Sequence, residues 1–245
     1  MRFDLKTFIT ERAAKGEKSL AVLIDPDKTK GKELEAMVEV INRTANFILV
    51  GGSFVSQEDL ENCLDQLEVL TTLPVCLFPG HASQVSEQAD AILFLNLVSG
   101  RNPEYLIGNQ VLAAPAIAKS GIQVLATAYL LINCGTPTAA QYISNTQAIP
   151  YAQDGIAAAT ALAAKFMGQQ FVYLDGGSGA DKVISESMIQ AVKTTTKLPL
   201  IIGGGIRSAS QAQALLKAGA DVIVVGNGAE SRADILMEIK ELMTS

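Results

Sequence analysis

Short apolar runs recur along the chain. Each is followed by glycine, proline or a polar residue and then by a stripe at helical spacing. The runs fall at residues 19–24, 47–50, 75–78, 91–95, 122–131, 171–172, 200–202 and 222–225. Runs this short and this continuously apolar predict strands buried on both faces, as in a parallel sheet. The stripe Leu34, Met37, Val38, Ile41 predicts a helix after the first run, and Leu60, Leu64 and Leu67 predict another over residues 56–70. Further helices are predicted over residues 4–16, 82–89, 103–118, 154–167, 186–194, 209–218 and 231–243. Gly108 and Pro115 weaken the 103–118 segment, because glycine and proline disfavour a helix interior. Residues 133–153 are polar and read as a loop longer than ordinary connections, which is usual for functional segments. About eight strand–helix alternations in 245 residues predict one α/β domain over residues 1–245, a closed (β/α)8 barrel.

Composition narrows the function. Apolar residues make up 49% of the chain, mean hydropathy is +0.27, and net charge is −6 with a pI near 4.9. A nucleic-acid binder would carry a basic face, so that class is excluded as an expectation. The hydropathy suits buried parallel strands and leaves room for an apolar groove. No apolar run reaches the ~18 residues of a membrane span, and the first residues lack a signal-peptide core. Cys63, Cys76 and Cys134 are scattered without metal-ligand spacing, which fits reduced thiols and a cytoplasmic location.

The candidate chemistry sits where strands hand over to helices. Tyr173-Leu174-Asp175-Gly176-Gly177-Ser178-Gly179-Ala180 ends the sixth run; Gly203-Gly204-Gly205 and Gly226-Asn227-Gly228 end the seventh and eighth. Three such loops at consecutive strand ends read as one phosphate cradle built from backbone N–H groups and helix N-termini. Asp175, inside that cradle, reads as an acceptor or general base for a substrate hydroxyl, with Tyr173 beside it. The plainer alternative is a carboxylate that caps its own loop. Asp25 ends the first strand and Ser53 the second; together they are a hard-oxygen pair suited to Mg2+, and the alternative for Asp25-Pro26 is a simple turn. His81 is the single histidine and reads as a surface or structural residue, while Arg207 could touch phosphate or face solvent. Leu95, Leu97, Leu125 and Tyr129 are candidates for an apolar groove.

Taken in order, Asp25-Pro26-Asp27-Lys28, Gly51-Gly52-Ser53, Phe78-Pro79-Gly80, Ile107-Gly108-Asn109-Gln110, residues 142–150, Tyr173 to Gly179, Gly203 to Arg207 and Gly226-Asn227 resemble the geranylgeranylglyceryl phosphate synthases and the related bacterial heptaprenylglyceryl phosphate synthases. The resemblance spans nearly the whole chain. It implies a modified TIM barrel and Mg2+-dependent transfer of a long prenyl group, geranylgeranyl in the first instance, from its diphosphate to a hydroxyl of sn-glycerol 1-phosphate. Metal contacts then fall on Asp25 and Ser53. Glycerol phosphate contacts fall on Tyr173, Leu174, Asp175, Gly176, Gly177, Ser178, Gly179, Gly204, Gly205, Gly226 and Asn227. The family commonly has glutamate where this chain has Asp175, so the carboxylate is one methylene shorter. The resemblance also implies a homo-oligomer, dimer or hexamer, without a transmembrane segment and with only transient membrane contact for product release. Rival expectations are a sugar-phosphate isomerase, which the lack of a carboxylate at the end of the fifth strand disfavours, and a barrel that binds a phosphorylated ligand without reacting it.

Overall fold

The structure, a computed structural model, describes residues 2–226 and 233–244. Its strands are β1 (Ser19–Ile24), β2 (Phe47–Val50), β3 (Val75–Leu77), β4 (Ala91–Leu97), β5 (Gln123–Asn133), β6 (Ile149–Pro150), β7 (Phe171–Asp175), β8 (Leu200–Gly203) and β9 (Val222–Val225). Its helices are α1 (Leu5–Lys15), α2 (Lys32–Thr44), α3 (Gln57–Leu70), α4 (Asn109–Ser120), α5 (Ala139–Ser144), α6 (Asp154–Phe166), α7 (Glu186–Thr196), α8 (Ala209–Ala218) and α9 (Ala233–Thr244). All strands except β6 form one parallel ring: β1 pairs with β2 and β9, and the β4–β5 pairing closes the other side. β6 only extends the end of β5, at Ile132 and Asn133. The predicted (β/α)8 barrel is the observed fold.

Side chains of successive strand residues alternate between two cores. Leu49, Leu93, Leu125, Tyr129, Tyr173 and Ile201 fill the barrel interior. Val50, Ile92, Leu130, Leu174 and Ile202 face outward and pack with helix stripes such as Leu34, Met37, Val38 and Ile41. Burial on both faces is why the strands read as unbroken apolar runs. Helix α1 starts at Asp4, whose carboxylate accepts from the Thr7 N–H at 3.0 Å, and Leu5 and Ile9 join the interior cluster.

The expected helix over residues 82–89 does not form; the β3–β4 connection is irregular. Gln84 explains the loop: its side-chain oxygen accepts from the Gly80 N–H at 2.6 Å and its amide donates to the Val55 carbonyl at 2.9 Å. A side chain that satisfies loop backbone in this way competes with helix hydrogen bonding. The 103–118 segment is helical as expected but opens with a π-turn, Glu104–Gly108. Side-chain amides take carbonyls there: Asn96 donates to Leu106 at 2.6 Å and Asn109 to Glu104 at 3.0 Å. The 133–153 segment contains α5, held by a capping box between Thr138 and Gln141.

Candidate active site

The C-terminal rim of the barrel surrounds a cavity of about 660 Å³. On one side lie the loops after β7 and β8. Ser178, Gly179, Gly204 and Gly205 border the cavity, as does Gly226 after β9. Gly204 has φ +89°, and a Cβ there would lie 2.6 Å from the Gly177 nitrogen, so only glycine lets these two loops close on each other. The Arg207 guanidinium donates to the Ala180 carbonyl at 2.7 Å, tying the β8 loop to the β7 loop. Helix α8 begins just beyond, capped by Ser208 accepting from the Gln211 N–H. Backbone amides and a helix N-terminus therefore converge on one corner, which suits an anion.

Asp175 stands at the floor of that corner and is buried. One carboxylate oxygen accepts from the Tyr129 hydroxyl at 2.5 Å and the other from the Gly177 N–H at 2.6 Å. Burial pushes its pKa up from the ordinary value, against the lowering pull of these two hydrogen bonds. Burial, reinforced by the Asp175 charge, holds the Tyr129 and Tyr173 hydroxyls well above the ordinary phenol range. The Tyr173 ring stacks on Phe78 at 5.2 Å and meets Tyr129 edge-on at 5.5 Å, so three aromatic rings form a rigid floor. Each carboxylate oxygen keeps a second lone pair for a substrate hydroxyl.

Across the mouth, Asp25 ends β1 with its side chain 14% exposed, and Lys28 Nζ lies 2.6 Å from one of its oxygens. Ser53 borders the cavity next to it. A Cβ on Gly52 would come 3.0 Å from Asp25 Oδ1, so the glycine keeps that oxygen uncovered. Among the described residues no three His, Cys, Asp or Glu side chains form a ligand cluster. The donors that are present, one carboxylate, a hydroxyl and Asp27 close by, are all hard oxygens. They fit Mg2+, which commonly takes one or two carboxylates and completes its shell with water and substrate phosphate.

From the mouth the cavity continues down the flank of the barrel beside β4. Ile92 and Phe94, which face outward, line it together with Val85 of the helix-free connection and Ala113 and Ile117 of α4. The 133–153 segment covers the opposite side through Thr138, Ala140 and Ile143. It is anchored by Asn102, which donates to the Ser144 carbonyl at 2.7 Å. The result is a charged, polar mouth leading into an apolar channel.

A family profile described as the PcrB family matches residues 13–243. The chain belongs to the PcrB family. Among its PcrB-type relatives, a geranylgeranylglyceryl phosphate synthase from Chitinophaga pinensis is 48% identical over 94% of this chain and 92% of that protein. One from Methanosphaera stadtmanae is 39% identical over 98% of each. The solved structure of (S)-3-O-geranylgeranylglyceryl phosphate synthase from Thermoplasma acidophilum, in complex with sn-glycerol-1-phosphate, superposes with a TM-score of 0.92. It covers 99% of each chain at 32% identity.

The fold brings most of the sequence-chosen residues to the cavity and leaves others off it. Leu174 points away from the cavity into the helix-facing core, because strand neighbours alternate faces. Gly176 sits behind the cradle against Cys134, where a Cβ would lie 3.2 Å from Sγ. Gly177 borders the cavity, with its N–H given to Asp175. Asn227 lies outside the described residues. Of the groove candidates, Leu95, Leu97 and Tyr129 line the cavity, whereas Leu125 is sealed in the interior. His81 is exposed at the mouth with Nδ1 3.0 Å from Ser83 Oγ. The partnership of Tyr129 with Asp175 escaped the sequence reading. Strand parity could have found it, since Tyr129 pairs with Tyr173 and Leu131 with Asp175 across β5 and β7.

Proposed function

We propose that this chain joins a hydroxyl of sn-glycerol 1-phosphate to a long-chain prenyl diphosphate, geranylgeranyl diphosphate in the first instance, forming an ether and releasing diphosphate. The chain is a prenyltransferase of the geranylgeranylglyceryl phosphate synthase type. One observation carries the reading: a single cavity joins an amide-rich anion corner, an Asp25–Ser53 oxygen corner and an apolar channel. The reaction needs two anionic head groups and one greasy tail, and neither rival reaction uses all three parts. The relative solved with sn-glycerol-1-phosphate supports the assignment of the amide corner to that substrate.

In this reading the backbone at Ser178, Gly179, Gly204 and Gly205 holds the glycerol phosphate, and Asp175 accepts a hydrogen bond from the attacking hydroxyl. The Tyr129 hydroxyl and the Gly177 N–H fix the carboxylate, and the Tyr173 ring packs against Tyr129 and helps keep bulk water from it. Fixing both reactants replaces a bimolecular encounter with an oriented one. Mg2+ would be held by Asp25 and Ser53, with Asp27 near; when bound it neutralises charge on the leaving diphosphate. The tail lies along Phe94, Ala113 and Ile117. Each buried CH2 contributes about 0.8 kcal/mol, so a long chain gains over ~10 kcal/mol before ordering costs. A homo-oligomer is part of the same reading, and the exposed Ile107, Val111 and Leu112 give it an apolar face to bury. Incubation with labelled glycerol phosphate, Mg2+ and prenyl diphosphates of graded length tests the proposal. The expected result is an organic-soluble phosphate ether, and its absence at every chain length overturns the reading.

A further inference from the structure

The turn after β1 folds Lys28 back over Asp25. The Lys28 and Thr29 N–H groups both donate to the Asp25 carbonyl, at 3.0 and 3.1 Å, and Lys28 Nζ reaches an Asp25 carboxylate oxygen at 2.6 Å. This ammonium thus neutralises, through Oδ2, the same carboxylate whose charge the proposed divalent ion needs. It is not locked there: the Lys28 side chain is 52% exposed and borders the cavity. The other cations nearby are committed elsewhere. Lys30 pairs with Asp59 at 2.6 Å, His81 bonds Ser83, and the Arg207 guanidinium bonds backbone of the β7 loop. Among the described residues Lys28 is the one lysine that lines the cavity.

We propose that Lys28 is an exchangeable counter-ion. It neutralises Asp25 until a divalent cation takes that carboxylate, and its displaced ammonium then turns to the diphosphate of the prenyl substrate. The inference rests on the prenyltransferase reading and on Asp25 as a metal ligand. Its chemistry follows from the parts. A prenyl diphosphate with one divalent ion still carries net negative charge, and the Asp25 and Asp27 carboxylates on the same wall repel it. A lysine supplies a compact charge with rotatable donors on a flexible stem, so it can serve two anions in turn. Binding of the diphosphate draws Lys28 from Asp25 and so favours the metal, a reciprocal coupling between the two ligands.

The test measures binding rather than turnover. Mn2+ binding to the full chain without substrate, followed by electron paramagnetic resonance, is expected to be about fivefold tighter in Lys28→Met than in the parent, the scale of one exposed ion pair. Inorganic diphosphate in the presence of Mn2+ is expected to bind about fivefold or more weakly to the same variant. Lys30→Met, with its charge two residues along but paired to Asp59, should leave both values unchanged. Equal or weaker Mn2+ binding in Lys28→Met, or the same change in Lys30→Met, overturns the proposal. Asp25→Asn separates the two levels: if it binds Mn2+ as well as the parent does, the metal corner itself is misassigned. If it loses Mn2+ while Lys28→Met gains nothing, only the role of Lys28 is lost.

Discussion

The Tyr129 hydroxyl donates to Asp175 Oδ2 at 2.5 Å, from the neighbouring strand and one inward-facing position earlier in register. The bond is buried, and it offsets in part the upward push of burial on the Asp175 pKa. If ionised Asp175 receives the substrate proton, the acid limb of kcat/KM lies above the ~3.9 of a free aspartate. Tyr129→Phe removes the lowering hydrogen bond and is expected to move that limb further to alkaline pH. A limb that stays put in Tyr129→Phe assigns it to another group.

The same raised pKa has a consequence for stability. The native state holds the Asp175 proton more tightly than the unfolded chain does. The group's contribution is therefore full below about pH 3.9 and is lost as pH rises through its higher native value. Urea melts between pH 4 and 7 are expected to show Asp175→Asn becoming relatively more stable than the parent as pH rises. Parallel curves would contradict the burial effect.

Asp175→Ala should lower kcat by about 10²–10⁴, the usual contribution of a positioned acid–base group. Asp175→Glu restores the extra methylene and brings the carboxylate nearer the cavity, so it is expected to keep most of the activity. Comparable losses in both variants would mean that the fit of the loop, and not the carboxylate, is what matters.

Asp25→Ala is expected to abolish Mg2+-dependent turnover while leaving the fold intact, as checked by circular dichroism and thermal melting. Undiminished activity would refute the placement of the metal at this corner.

At Gly204 the left-handed backbone and the closeness of Gly177 leave no room for a methyl group. Gly204→Ala is expected to destabilise the protein by about 1–3 kcal/mol. It should also raise the KM for glycerol phosphate more than that for the prenyl substrate. An equal rise in both would detach the loop from the phosphate.

Much of this site was legible because its chemistry is local. Gly204, Gly205 and Ser178 announce backbone exposure by residue type alone, and Asp25 and Ser53 fall at strand ends that the apolar runs delimit. What was misread depends on relations between segments. A contiguous motif includes Leu174 although the period of two turns it into the helix-facing core. Tyr129 does line the cavity, but its bond to Asp175 crosses between strands and no local pattern announces it. The 82–89 segment, expected to be helical, is a loop because Gln84 spends its amide on Gly80 and Val55, a contact no local pattern contains.

The bare connection between β3 and β4 has a consequence for the size of what the protein accepts. With no helix in that connection, the apolar part of the cavity runs along the side of the barrel between Ile92, Phe94 and α4, while Tyr129 and Tyr173 floor its mouth. If the tail lies in this trough, as proposed, a bulkier residue at Ala113 is expected to act as a stop and a smaller one at Phe94 to lengthen the ruler.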